Sequence, residues 1–98
     1  MDFIIKIEPD AFLDIQEAIT WYNKQQKGLG RKFHAAVLNH IDVLTKNPHF
    51  EIRYDAVRCL PLKKFPFIIH FTINELDKIV TVRAVFHTSI NPTIWKDR

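Results

Sequence analysis

The chain is poor in everything that staples or loosens a small protein. Its 98 residues hold one cysteine, two glycines and one methionine. The lone Cys59 excludes a disulfide within the chain and fits a reducing compartment. With glycine confined to Gly28 and Gly30, no glycine-rich phosphate loop can be built, and no low-complexity linker divides the sequence. No apolar run approaches the roughly 20 residues that span a bilayer. The N-terminus lacks the basic, apolar, small-residue succession of a secretory signal, so a cytoplasmic protein with no membrane attachment is expected. His34, His40 and His49 lack metal-ligand spacing, since His34 and His40 stand six apart on different sides of a helix. No metal and no cofactor is expected. Neither a paired carboxylate nor a Ser-His-Asp arrangement is present.

What the chain does have is apolar mass, at 47% of residues, with 26% charged. That is ordinary for a folded protein, and 98 residues make one domain, spanning 1–98, with a modest core. The net charge of +3 is unevenly spread. Residues 1–52 carry six Lys/Arg against seven Asp/Glu, and residues 53–98 carry eight against four. The basic half suits an acidic partner, although excess lysine also serves plain solubility.

The periodicities predict an α+β fold. Phe3 to Ile7 reads as a short strand stopped by Pro9. Asp10 is placed to cap a helix whose apolar stripe, Phe12, Ile15, Ala18, Ile19 and Tyr22, runs to about Gln26. Lys27-Gly28-Leu29-Gly30 supplies a reversal. A second helix follows from about Leu29 to Lys46, with Leu29, Phe33, Ala36, Val37, Ile41 and Leu44 inward, and Asn47-Pro48 ends it. Two helices on so short a turn pack as a hairpin. Two apolar runs then flank the Pro-bracketed pair Lys63-Lys64 within Val57 to Ile73, and a third spans Ile79 to Phe86. These three form an antiparallel meander, with the helices on one face of the sheet.

Strand alternation divides the meander's side chains into two sets. Val57, Cys59, Phe67, Ile69, Phe71, Ile73, Val80, Val82, Ala84 and Phe86 are wholly apolar and are expected to face the helices. The other set mixes cations, histidines and aliphatics: Arg58, Leu60, Leu62, Ile68, His70, Thr72, Thr81, Arg83, Val85 and His87. A face with that mixture reads as a binding surface.

The sequence at this point resembles a known family. Asp14-Ile15, Ala18, Trp21-Tyr22, Gly28-Leu29-Gly30 with Phe33, Asn47-Pro48, Val57-Arg58, Leu62, Lys64-Phe65-Pro66-Phe67, Val85-Phe86-His87 and Asn91-Pro92 with Trp95 are similar in order and spacing to the RelE/ParE toxins of bacterial type II toxin–antitoxin systems. The resemblance covers essentially the whole chain, and the Arg, basic-Phe-Pro and His-x-x-x-Asn-Pro-x-x-Trp pattern is its specific part. It implies the strand, helix-pair, meander order and a cognate antitoxin that neutralises the toxin.

Two mechanisms occur among such toxins. RelE-like members cut messenger RNA on the ribosome, and ParE-like members inhibit DNA gyrase without hydrolysing anything. Attack by a 2′-hydroxyl needs a proton acceptor, a proton donor for the leaving oxygen, and cations on the phosphate. His87 is the candidate base or acid here, with Arg58, Arg83 and Lys63 or Lys64 as phosphate holders. RNA-cleaving relatives crowd more cations onto this face and often carry a C-terminal tyrosine, whereas this chain has none after Tyr54. The meander resembles the ParE-like branch more. A degenerate member that binds antitoxin without being toxic is a further alternative.

The expected partner surface combines Arg58, Leu60, Leu62, Ile68, His70, Arg83, Val85 and His87 with Lys63, Lys64 and Trp95. An antitoxin segment with apolar anchors and acidic flanks matches it. Blander roles stand beside each of these. Arg58 and Arg83 also suit cross-strand ion pairs, Lys63-Lys64 an ordinary solvated turn, and His87 a hydrogen-bonded strand end.

Overall fold

The fold was obtained as a computed structural model that describes residues 2–97. Five strands, two helices and a C-terminal 3₁₀ helix follow in the order β1 (Ile4–Ile7), α1 (Pro9–Gln25), α2 (Leu29–Lys46), β2 (Ile52–Tyr54), β3 (Val57–Pro61), β4 (Phe67–Asn74), β5 (Ile79–His87) and the 3₁₀ helix (Pro92–Asp97). The strands form one sheet in the order β1-β5-β4-β3-β2. The expected meander is β3, β4 and β5, paired antiparallel, while β1 joins the far edge parallel to β5.

Helix α1 starts one residue before the expected cap. Glu8 is the extended N-cap residue, and Pro9 takes the first helical position, where its fixed φ and missing N–H are harmless. Asp10 lies inside the first turn, where its charge still complements the helix dipole. The buried stripe is Ala11, Ile15, Ala18 and Tyr22, with Phe12 rotated out to 53% exposure. Gly28 enters α2 at φ 86°, a conformation glycine adopts without strain. Gly30 serves closeness instead. A Cβ there would come within 2.5 Å of the Ile19 carbonyl oxygen, and the Gly30 amide donates to Asn23 Oδ1 at 2.8 Å. The helices therefore touch through backbone at the start of α2.

The core lies between the helices and the sheet. Phe33, Val37, Leu44, Ile69, Phe71, Val80 and Val82 have essentially no exposed surface. At its end an aromatic group gathers, with Phe33 centred 5.3 Å from Phe65 and 4.9 Å from Phe67, and Tyr22 5.1 Å from Phe65. Phe65 comes from the β3–β4 loop, so the loop is pinned by a ring driven between the helices. Fully burying such a ring is worth about 1.5–3 kcal/mol, and the half-buried Phe65 gains part of that.

Strand β2 was not expected. Its turn into β3 uses Asp55 and Ala56 at φ 47° and 76°, the left-handed pair that tight hairpins need and that Asn-Gly normally signals. Nothing in Asp-Ala announces it.

The register corrects the expected sorting of faces. Between β4 and β5 the pairs run Phe71↔Val82 and then His70↔Ala84, so β5 spends one extra residue, Arg83, in a β-bulge. Val80 and Val82 face the helices as expected. Beyond the bulge the alternation inverts. Val85, opposite Ile69, and His87, opposite Phe67, lie on the helix side, while Ala84 and Phe86 share the other side with His70. Strand β3 is also reversed from expectation. Arg58 pairs with Phe71 and Leu60 with Ile69, on the helix side, and Cys59 pairs with His70 on the other. Apolarity misled the assignment because the second face is itself partly a core.

Candidate functional site

The second face of the sheet is closed at one end by the chain's own C-terminus. Val57, Cys59, Ala84 and Phe86 are buried there, although the helices lie on the opposite side. His70 has no exposed surface and stands at the centre. Its Nδ1 lies 2.9 Å from the Tyr54 hydroxyl and 3.6 Å from Cys59 Sγ. Its ring is flanked by Phe86 at 5.0 Å and by Trp95 at 4.6 Å between centroids. Tyr54 in turn lies 5.7 Å from Trp95. The 3₁₀ helix thus lays Trp95 over a small cluster in which Nδ1 of the buried imidazole is hydrogen-bonded. Burial raises the Cys59 thiol above its ordinary value of 9.0, against a smaller opposing pull from Arg53. A thiol held protonated in this way is a poor nucleophile.

Beside this cluster a cavity of about 250 Å³ is lined by Tyr54, Thr72, Arg83, Ala84, Trp95 and Lys96, among others. Arg83 reaches it from the bulge, which aims the side chain away from the strand's regular alternation. Its Nη1 is 3.3 Å from Glu8 Oε1, with both side chains more than a third exposed. Of the expected site residues, Arg83, Ile68, His70 and Trp95 belong to this second face.

The others lie elsewhere. Arg58 is half-buried on the helix side, where its Nη1 donates to the Phe50 carbonyl at 2.8 Å. His87 sits edge-on to Phe67 at 5.1 Å, and its Nδ1 accepts the Ser89 amide at 3.0 Å. Val85, 2% exposed, and Leu62, 7% exposed, are core residues. Leu60 packs against the same core. Lys63 and Lys64 are exposed in the β3–β4 loop. The expected common face of Arg58, Arg83 and His87 is therefore split. The bulge puts His87 on the opposite side from Arg83, and the β3 register takes Arg58 with it.

Three residues matter here that the sequence did not single out for this site. Tyr54 binds His70. Glu8 pairs with Arg83. Asp14 Oδ2 accepts the Val85 amide at 3.0 Å, beyond Val82, the last β5 residue that β1 pairs. Asp14 thereby ties α1 to the strand just after its bulge. Tyr54 carries a faint signal, being an aromatic ahead of a turn, and Asp14 stood in the family pattern without a role, whereas Glu8 carries none. Among the described residues no group of three His, Cys, Asp or Glu side chains is placed to hold a metal ion. No helix among them is long and apolar enough to cross a membrane.

No protein-family profile and no curated protein sequence matches the chain. Solved structures do. The chain has the α+β fold of the RelE/ParE toxins, and the resemblance carried by the sequence holds at the level of fold. A chain of the chromosomal ParDE TA system from P. aeruginosa superposes with a TM-score of 0.79 at 15% identity, covering 89% of this chain and 97% of that one. A chain of the toxin–antitoxin complex RelBE2 from Mycobacterium tuberculosis gives 0.63 at 13% identity, over 89% and 92%. One of the archaeal RelE–RelB complex from Pyrococcus horikoshii OT3 gives 0.55 at 13%, over 93% and 100%.

Proposed function

We propose that this protein is the toxin of a type II toxin–antitoxin pair, a cytoplasmic growth inhibitor neutralised by a cognate antitoxin, and that it acts ParE-like, by binding DNA gyrase. The fold supports the class, since the three solved structures above are named as a ParDE TA system, a RelBE2 toxin–antitoxin complex and a RelE–RelB complex. The observation that favours binding over RNA cleavage is the separation of Arg83 from Arg58 and His87 by the sheet. A ribonuclease needs its proton-transfer groups and its phosphate cations within reach of one scissile bond. Here the imidazole of His87 lies on one side, with a ring nitrogen taken by a backbone amide, and the Arg83 guanidinium lies on the other.

Induction of the chain alone, and together with the product of the neighbouring gene, tests the reading. Growth arrest relieved by the neighbour, with an SOS response and relaxed or cleaved plasmid, is the expected result. Fragmented messenger RNA would replace gyrase inhibition by ribosome-dependent cleavage. Unimpaired growth would indicate a degenerate antitoxin-binding protein.

A further inference from the structure

We infer that the end of the molecule formed by the α1–α2 turn and the β3–β4 loop docks onto the phosphate backbone of duplex DNA. This surface does not include Arg83, and the choice of DNA over duplex RNA rests on the gyrase reading above.

Sequence and fold together segregate the charge. Residues 18–41 carry four Lys/Arg and no Asp or Glu, and residues 56–74 carry three and none. The fold brings these two acid-free stretches to one end. Phe65 is the joint, its ring centre lying 5.1 Å from that of Tyr22 and 5.3 Å from that of Phe33. Lys63 and Lys64 are thereby held against the helix pair, where they line one hollow with Lys32. Across the α1–α2 turn, Lys32 lines a second hollow with Lys27 and Arg31. Lys24, in the last turn of α1, completes a set of six cations, all exposed. None of the six enters an ion pair among the described residues. No acidic side chain stands in the first turn of α2, so the positive end of its dipole adds to the same field.

The composition of this end selects the occupant. Cations gathered without partners repel one another, and a polyanion relieves that repulsion. Protein interfaces are depleted of lysine at their cores and are anchored by aromatic rings. Here five of the six cations are lysines, and the rings beneath them, Tyr22 and Phe33, are buried in the core. A single strand would need exposed rings on which to stack its bases. Trp21 is exposed nearby, but it shares its hollow with Glu17. What remains suits phosphates, with the exposed amides of Asn23, Gln25 and Gln26 as further donors. A duplex turns its phosphates outward and keeps its bases inside. Gyrase acts on duplex DNA, which places that polyanion beside a protein that binds the enzyme.

The test titrates the whole chain against a fluorescent 30-base-pair DNA duplex of arbitrary sequence, by anisotropy, at several salt concentrations. Six phosphate contacts predict a slope of log affinity against log salt of about −5. Lys63→Gln with Lys64→Gln lowers its magnitude by about two, and so does Lys27→Gln with Arg31→Gln. Each pair weakens binding about tenfold or more near 0.05 M salt, with thermal melting to verify the fold. Lys6→Gln with Lys46→Gln removes the same net charge from exposed positions on other parts of the surface and leaves the slope unchanged. Equal losses in that control and the two test pairs overturn the placement. Tighter binding to single-stranded DNA, to duplex RNA or to phosphatidylglycerol vesicles overturns the choice of partner. A chain that arrests growth with gyrase inhibition yet leaves the duplex free overturns this inference alone, whereas fragmented messenger RNA on induction overturns the gyrase reading.

Discussion

Trp95 meets His70 edge-on, with ring centroids 4.6 Å apart and planes inclined at 76°. The contact joins a residue of the C-terminal 3₁₀ helix to a fully buried strand residue. It makes the C-terminal 3₁₀ helix a structural lid on the sheet. Trp95→Ala uncovers His70 and Tyr54 to water and removes a large half-buried ring. A loss of about 2 kcal/mol is expected in chemical denaturation, below the range for fully buried aromatics because Trp95 keeps some exposure. A change under about 0.5 kcal/mol, the usual size of a surface effect, would show that the lid does not hold the face closed.

Gly30→Ala should be among the most damaging methyl additions in the chain. The added Cβ meets the Ile19 backbone oxygen at 2.5 Å and Asn23 Oδ1 at 2.6 Å; the side chain can turn aside at the loss of its hydrogen bond, but the backbone oxygen cannot yield without separating the helices. A cost of about 2–3 kcal/mol is expected, as for overpacking in a core. Asn23→Ala removes the hydrogen bond to the Gly30 amide and costs about 1 kcal/mol. A melting temperature that rises in Gly30→Ala, as glycine replacement in an unstrained helix would give, contradicts this picture.

Arg83 and His87 should separate functionally, since the bulge sends them to opposite sides of the sheet. Arg83→Ala loses growth inhibition while stability changes by less than about 0.5 kcal/mol, the Glu8 pair being more than a third exposed. His87→Ala inhibits growth like the parent. Arrest in culture and denaturation of the purified variants are the measurements. Full toxicity of Arg83→Ala, or loss in His87→Ala, would move the target contact to the helix side.

Acid should weaken one surface clasp. Glu75 is held below its ordinary value of 4.5, first by the hydrogen bond from His49 Nε2, which lies 3.0 Å from Oε2. A carboxylate with a depressed native pKa contributes stability above its unfolded pKa and loses it as pH falls through the native one. Glu75→Gln should therefore flatten the fall in melting temperature below about pH 4.5, the ordinary glutamate range. Equal slopes in parent and variant would remove the clasp from the acid response.

The helices and the meander were legible because apolar spacing at three to four residues, and runs bounded by proline, are strong local signals. Phe33, Val37, Ile41 and Leu44 fell where the pattern placed them. What escaped was set by non-local register. The sorting of faces assumed unbroken alternation along β5, and one extra residue at Arg83 inverted it for Ala84 to His87. The Asp55-Ala56 turn, and with it β2, lacked the glycine or asparagine that makes such turns readable. The second core was hidden for a third reason. Trp95 comes from beyond the last strand, and no pattern in residues 92–97 says which face they fold onto.

The bulge has a consequence for how the molecule comes apart. Strand β5 places Val80, Val82 and Val85 in the helix-side core and Ala84 and Phe86 in the opposite cluster, so one strand is the shared wall of both hydrophobic bodies. Neither body can melt while that wall stays in place. Amide hydrogens of β5 and its neighbour β4 should exchange only through whole-molecule opening, and those of residues 93–97 through local fraying of the lid. Thermal unfolding should accordingly be a single transition, with tryptophan emission and far-ultraviolet ellipticity changing together.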